Sequence, residues 1–281
     1  MRTDAVPVGT GVLGQPAAAG RVFDLSGRVA IVTGAAHGIG LGVSEVFAEA
    51  GATVVCADID GDAAAAASRA ITDAGGSAKP ATVDVSRREQ VRALVRSVVA
   101  EHGRLDVMCN NAGIIVEAPV LELSEEQFDR VLAVNLKGLL FGCQEAGAVM
   151  RGQQAGSIIN MASAAADTAP PGLVAYSVSK AGAVQITRTL AKELGPEGVR
   201  VNAVAPGLVE TTITRRHYTN QDGTINEDNR ATFLARGRDV APLRRIGTPA
   251  DIGYAALYLA SDASRFVTGQ VLRPNGGTSM P

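Results

Sequence analysis

The amino-acid sequence predicts an α/β fold: one doubly wound sheet of seven parallel strands with helices on both faces. Three observations predict it. From Gly27 onward, apolar runs of strand length alternate with longer segments of helical period, the pattern of a parallel sheet covered by helices. Several of the runs are apolar without interruption, as strands buried on both faces are. Directly after the first run comes a glycine-rich turn, T-G-A-A-H-G-I-G at 33–40, where a strand gives way to a helix. A chain of 281 residues, 46% hydrophobic and 19% charged, is long enough to bury the core of one such domain.

Residues 1–24 are rich in Gly, Pro and Ala and lack the charged start and continuous apolar run of a secretory signal. They read as a mobile extension ahead of a single domain at 25–281. The strand candidates are R-V-A-I-V-T (28–33), T-V-V-C-A-D (53–58), A-K-P-A-T-V-D-V (78–85), L-D-V-M-C-N (105–110), G-S-I-I-N-M (156–161), V-R-V-N-A-V-A (199–205) and T-G-Q-V-L-R (268–273). Helices are expected at 39–50, 61–74, 87–102, 124–150, 173–194 and 249–260, the A-A-A-A-A run at 63–67 being a strong helix former. Residues 207–248 break the rhythm. That stretch mixes charges with apolar positions such as Phe233 and Leu234, and a connection of its length reads as a substrate lid.

In the glycine turn, Gly34, Gly38 and Gly40 let backbone N–H groups approach a pyrophosphate, whose charge the following helix N-terminus stabilises. Three residues separate the first two glycines, unlike the common G-x-G-x-x-G. Asp58 ends the second strand, where an acidic side chain accepts the ribose hydroxyls of an adenosine and repels a 2′-phosphate. Neither His37 in the turn nor Ile59 after the aspartate supplies the Arg or Lys that NADP wants, so NAD is expected and NADP disfavoured. Ile39 completes the turn's candidate contacts. Asp84 and Val85 end the predicted third strand, and Asn111, Ala112 and Gly113 of N-N-A-G (110–113) follow the fourth. Ligands bind at such carboxyl ends, and these two loops suit an adenine edge and a ribose.

Tyr176 and Lys180 stand four residues apart in A-Y-S-V-S-K-A (175–181), on one face of the helix predicted at 173–194. Lowering a phenol pKa from about 10 to about 7 takes roughly 4 kcal/mol. A unit charge about 4 Å away, at an effective dielectric of about 20, contributes roughly that much. Lys180 is therefore expected to make Tyr176 a usable proton-transfer group. Ser163 follows the fifth strand, thirteen residues before Tyr176, and its hydroxyl can hold a substrate oxygen beside the phenol. G-x-S-x-G is absent and no histidine lies nearby in sequence, which argues against a serine hydrolase.

Taken together, T-G-A-A-H-G-I-G, N-N-A-G, A-V-N-L-K-G (133–138), Ser163, Y-S-V-S-K and A-P-G-L-V-E-T (205–211) resemble the classical short-chain dehydrogenase/reductase family. The likeness runs from about Leu25 to about Thr278 in the family's order and approximate spacing. It implies a Rossmann-type sheet of order 3-2-1-4-5-6-7 and a homotetramer or homodimer. It also implies that Asn135 completes a tetrad with Ser163, Tyr176 and Lys180, holding a water near the lysine. Lys180 and Tyr176 would also contact the nicotinamide ribose, and Pro206, Gly207, Val209 and Thr211 the carboxamide and phosphate region. Asn275 stands where many relatives carry aspartate, and Arg273 adds a charge near the subunit contacts such proteins make.

Composition excludes other classes. A net charge of −2 suggests no nucleic-acid partner. His37, His102 and His217 are scattered and no C-x-x-C occurs, so no metal is expected. Cys56, Cys109 and Cys143 sit among apolar residues and read as free thiols of a reducing, cytoplasmic compartment; no run of eighteen uncharged apolar residues suggests a membrane span. The expected reaction is hydride transfer between NAD and a secondary alcohol or ketone. Ile114, Ile115, Ala164, Ala165, Pro170, Leu173, Leu208 and parts of 212–240 are the expected pocket walls, mostly apolar, which suits an apolar or alicyclic substrate. Arg215, Arg216, Arg236 and Arg238 would meet an acidic one only if the lid folds inward. A 3-oxoacyl-thioester (acyl carrier protein) reductase and a non-catalytic dinucleotide-binding protein stay open as alternatives.

Overall fold

The computed structural model describes residues 19–220 and 222–281. Of the expected extension at 1–24, residues 1–18 lie outside the described residues, and Ala19–Phe23 form one 3-10 segment.

Seven strands form one parallel sheet in the order β3-β2-β1-β4-β5-β6-β7. They are β1 (Val29–Thr33), β2 (Thr53–Asp58), β3 (Ser77–Thr82), β4 (Val107–Asn110), β5 (Gly156–Met161), β6 (Val199–Val204) and β7 (Val271–Leu272). The helices are α1 (Gly38–Glu49), α2 (Gly61–Asp73), α3 (Arg88–His102), α4 (Glu125–Leu132), α5 (Leu139–Gln153), α6 (Ala165–Thr168), α7 (Val174–Leu194), α8 (Thr212–Arg215), α9 (Glu227–Val240) and α10 (Pro249–Ala260).

Side chains alternate across the strands, and two cores result. On one face Ala30, Val32, Val54 and Cys56 pack with Phe47 of α1 and Ile252 and Leu259 of α10. On the other, Val29, Ile31, Val55 and Ala57 pack with Leu94 of α3, Met150 of α5 and Ala183 of α7. Both faces of β1 are buried, which is why its sequence is apolar throughout. Strand order reverses between β1 and β4, so their carboxyl ends open a crevice where doubly wound sheets bind ligands.

Three expectations need correction. The third strand ends at Thr82, not at residue 85; Val83 and Val85 are 2% and 8% exposed, so their apolar character serves a buried loop. The seventh strand is reduced to Val271–Leu272. The helix expected at 124–150 is α4 and α5 joined by a π-helical turn, Ala133–Gly138. The stretch 207–248, expected as a lid, holds α8, α9 and a parallel bridge from Val209 to Gly247.

All three cysteines are buried and free, and burial pushes the thiols of Cys109 and Cys143 up to about 12. Such thiols are inert. Among the described residues no helix is long and apolar enough to cross a membrane, and no three His, Cys, Asp or Glu side chains gather as a metal site.

Candidate active site

The crevice between β1 and β4 is built by hydrogen bonds that lock one turn to the other. Thr33 Oγ1, at the end of β1, accepts the N–H groups of Asn111 and Ala112 at 3.0 and 3.1 Å. The Asn111 side chain donates to the carbonyls of Thr33 and Gly34 at 2.9 and 3.1 Å. Asn111 thus holds the glycine turn from behind.

The glycines of that turn are required by space as well as by conformation. Gly34 and Gly38 have φ of +64° and +56°, which favours glycine. A Cβ on Gly40 would lie 2.0 Å from the Gly34 carbonyl oxygen and 2.5 Å from Asn111 Nδ2. At Gly38 it would meet Thr211 at 3.1 Å, so the 205–211 segment packs directly on the turn. α1 begins at Gly38 after His37, whose side chain makes no capping bond. Its first N–H groups are left to a ligand, and the helix dipole favours an anion there.

Asp58 lies across the turn. One carboxylate oxygen accepts the Ala36 N–H at 3.0 Å and the other the Asp60 N–H at 3.1 Å. Ile59 beside it is 69% exposed. Asp84 departs from expectation: it sits past the end of β3, and its carboxylate accepts the N–H and hydroxyl of Ser86 at 2.9 and 2.6 Å. Both bonds go to Oδ1, and Oδ2 stands 3.8 Å from Arg87 Nε.

A cavity of about 1030 Å³ joins these residues to the expected chemical groups. Gly34, His37, Gly38, Ile39, Asp58, Ile59, Asp84 and Val85 line it, as do Asn111, Ala112 and Gly113. Ser163, Tyr176 and Lys180 line it too, together with Pro206, Gly207, Val209 and Thr211. Two expected residues do not. Gly40 is buried behind Gly34, and Asn135, 1% exposed, is spent on backbone. Its Oδ1 accepts the Ile114 N–H at 2.8 Å, and its Nδ2 donates to the Ile114 carbonyl at 2.9 Å and to Ser179 Oγ at 3.2 Å.

Ser163 Oγ accepts the Ala165 N–H at 3.1 Å, which leaves the hydroxyl proton to donate. The loop that carries it is tied to the next one, Ala164 N–H donating to the Pro206 carbonyl at 2.9 Å. Lys180, 4% exposed, donates to the Met161 carbonyl at 2.8 Å, and its Nζ stands 5.5 Å from the centre of the Tyr176 ring. Burial lowers the ammonium's pKa to about 8. The Tyr176 phenol moves opposite to expectation. Burial raises its pKa, while the Ser163 hydroxyl and the Arg216 charge pull it down. Desolvation of the phenolate outweighs its neighbours in the protein alone.

All seven walls expected from sequence, Ile114, Ile115, Ala164, Ala165, Pro170, Leu173 and Leu208, line the same cavity. The 207–248 stretch contributes Ile213, Arg216, His217, Phe233 and Val240. His217 stacks on Phe233 with ring centres 4.8 Å apart, and burial lowers its pKa, helped by Arg216. Tyr218, 2% exposed, donates to Glu210, which Arg230 of α9 also binds at 2.7 Å. Sequence reasoning missed α9, although Asn226 caps it by accepting the Asn229 N–H and Glu227 and Asp228 fill its first turn; that capping pattern was the available signal. Arg273 forms a two-pronged pair with Asp167 of α6 at 2.9 and 3.2 Å. Asn275 closes its own turn by accepting the Gly277 N–H at 2.8 Å.

Comparison with known proteins agrees with this geometry. A sequence profile of the family described as enoyl-(acyl carrier protein) reductase matches residues 34–279. A 3-oxoacyl-(acyl-carrier-protein) reductase of Thermotoga maritima is 40% identical over 253 residues, 90% of this chain and 98% of the relative. D-threitol dehydrogenase of Mycolicibacterium smegmatis is 36% identical over 91% of this chain and 94% of its own length. Among solved structures, a short-chain type dehydrogenase/reductase from Mycobacterium marinum superposes with a TM-score of 0.84 at 35% identity, covering 92% of this chain and 98% of the other. A gluconate 5-dehydrogenase from Burkholderia cenocepacia, in complex with NADP and tartrate, gives a TM-score of 0.85 at 32% identity, covering 93% and 98%.

Proposed function

From membership of the classical short-chain dehydrogenase/reductase family, to which this chain belongs, we propose that it is an NAD-dependent oxidoreductase acting on a secondary alcohol or ketone with an apolar or alicyclic body. Membership makes it an oxidoreductase of CH–OH groups with a nucleotide-binding Rossmann fold. The observation that carries the finer reading is the single cavity shared by Asp58, the glycine turn, Ser163, Tyr176 and Lys180.

The residues present fit a dinucleotide. Gly34 and Gly38 take a positive φ that shapes the turn, α1 has no side-chain cap, and Asp58 accepts only backbone N–H groups among the described residues. Asp58 would hold the adenosine ribose, the turn the pyrophosphate, and Lys180 with Tyr176 the nicotinamide ribose. When bound, the nicotinamide supplies the hydride acceptor for oxidation or the donor for reduction.

Every other part falls to the chain. Ser163 sets its hydroxyl beside both the substrate oxygen and the phenol and fixes the substrate's position. Tyr176 takes the alcohol proton in oxidation and returns it in reduction. Oxidation needs the phenolate, which burial opposes, and the Ser163 hydroxyl and the Arg216 charge act in its favour. Asn135 positions the Ile114 wall, and the apolar walls exclude water. Lys180, with its pKa near 8, exchanges protons close to neutral pH.

A second reading, a 3-oxoacyl-thioester reductase, is favoured by the 40% identity to the Thermotoga maritima protein. It would want NADPH, and Asp58 weighs against a 2′-phosphate. A screen of secondary alcohols and ketones, each with NAD(H) and NADP(H) in parallel, tests both. NAD-linked turnover of apolar alcohols is expected; NADPH-linked turnover of 3-oxoacyl thioesters alone would favour the second reading.

A further inference from the structure

The substrate end of the cavity is walled by apolar side chains, yet one cation enters it from the lid. Arg216 follows α8, and its Nη1 donates to the Ile213 carbonyl at 2.6 Å, which fixes the direction of the guanidinium. Nε stands 3.6 Å from Glu117 Oε2, too far for a hydrogen bond, and among the described residues Nη2 makes none. The guanidinium is one-third exposed and lines the cavity; Glu117, 53% exposed, does not line it. A planar fork of donors therefore faces the substrate space with only a loose, hydrated counterion.

Arg216 and Tyr176 line the same cavity. Arg216 acts on the phenol of Tyr176, and no acidic group is among the causes that shift that phenol. His217, the neighbouring polar group of the lid, has its pKa lowered by burial and by Arg216, so it is neutral near pH 7. Arg130 also lines the cavity, but from α4, and Lys180, which gives one proton to the Met161 carbonyl, is assigned to the nicotinamide ribose.

We infer that Arg216 is the specificity-determining residue of this site, and that the substrate is a hydroxy acid or oxo acid with an apolar body, whose carboxylate takes the guanidinium in place of Glu117. The inference rests on the oxidoreductase reading and narrows its substrate. The apolar body packs on Ile114, Ile115, Pro170 and Leu173, and the acid group meets the lid. An exposed ion pair such as Arg216 with Glu117 is weak, whereas a two-pronged carboxylate in an apolar enclosure is strong. Exchange of one for the other therefore favours the acid. In the redox step the carbinol C–H bond breaks and its electron pair leaves as hydride to the nicotinamide. The O–H proton passes to Tyr176, a C=O bond forms, and the carboxylate is unchanged.

The test uses the full chain with NADH and, in parallel, NADPH, and a series of branched or alicyclic 2-oxo and 4-oxo acids, each paired with its methyl ester. The acid is expected to exceed its ester in kcat/KM by about tenfold or more. Arg216→Leu is expected to reduce that acid-to-ester ratio at least tenfold, mainly through KM, Arg216→Lys to restore part of it, and Glu117→Gln to lower KM for the acid. Equal use of acid and ester, or an equal fall of both in Arg216→Leu, overturns the inference. Turnover of neutral ketones but of no oxo acid overturns it while leaving the oxidoreductase reading intact. Absence of turnover with every substrate and both dinucleotides overturns both.

Discussion

Asn135 grips Ile114 by both polar atoms of its backbone, accepting its N–H at 2.8 Å and donating to its carbonyl at 2.9 Å. The clamp joins the π-helical turn Ala133–Gly138 to the loop that follows β4, and π turns of this kind cluster at functional sites. Ile114 lines the cavity, so this side chain sets the position of a substrate wall. Asn135→Ala leaves a partly buried N–H and carbonyl without partners. A loss of about 1–3 kcal/mol in urea unfolding is expected, with kcat/KM falling further than that alone explains.

The glycine turn has no room at Gly40. Gly40→Ala sets a methyl 2.0 Å from the Gly34 carbonyl oxygen, which forces backbone apart and should cost about 1–3 kcal/mol together with dinucleotide affinity. Gly152→Ala, in the exposed last turn of α5 with nothing within 4 Å of the new Cβ, should instead stabilise by about 0.5–1 kcal/mol. Thermal unfolding and NAD titration of the two variants check the contrast.

Asp58→Ala removes the carboxylate and the acceptor of the Ala36 N–H. Hydrogen bonds to a charged group are worth about 1.5–3 kcal/mol, so Kd for NAD should rise roughly 10- to 100-fold, and the NAD-over-NADP ratio should shrink. An unchanged ratio would remove Asp58 from the ribose.

Lys180 gives a pH signature. Its folded pKa, about 8, lies below the ordinary 10.5, so between those values the unfolded chain binds more protons than the folded one. Stability from this group therefore rises with pH across that window, and below about 8 the burial of the ammonium costs its full amount, on the order of 3 kcal/mol. Urea unfolding from pH 7 to 10 should show wild type gaining stability relative to Lys180→Met, which has no such titration.

The order of elements was readable because it rests on local patterns: continuous apolar runs for strands buried on both faces, and glycines at a turn whose backbone approaches are tight. The gathering of Ser163, Tyr176 and Lys180 around one cavity was readable as well, from their places after β5 and on one face of α7. Asn135 was found, but its partner Ile114, twenty-one residues away, was not, because no local signal announces a clamp across the crevice. The end of β3 was misplaced because Val83 and Val85 stay apolar to fill the core rather than to continue the sheet. α9 escaped because only Gly237 along it is buried, so no apolar stripe marks the helix. The direction of the Tyr176 shift was misjudged because pairwise distance to a lysine says nothing about burial, and burial is the larger effect here.

Tyr176→Phe tests the central claim most directly. Removing the hydroxyl should lower kcat for NAD-linked oxidation by about 10²- to 10⁴-fold, while NAD affinity, measured by titration, stays within about tenfold, since one net hydrogen bond is worth about 0.5–1.5 kcal/mol. Turnover retained at the wild-type rate with unaltered NAD affinity would contradict Tyr176 as the proton-transfer group.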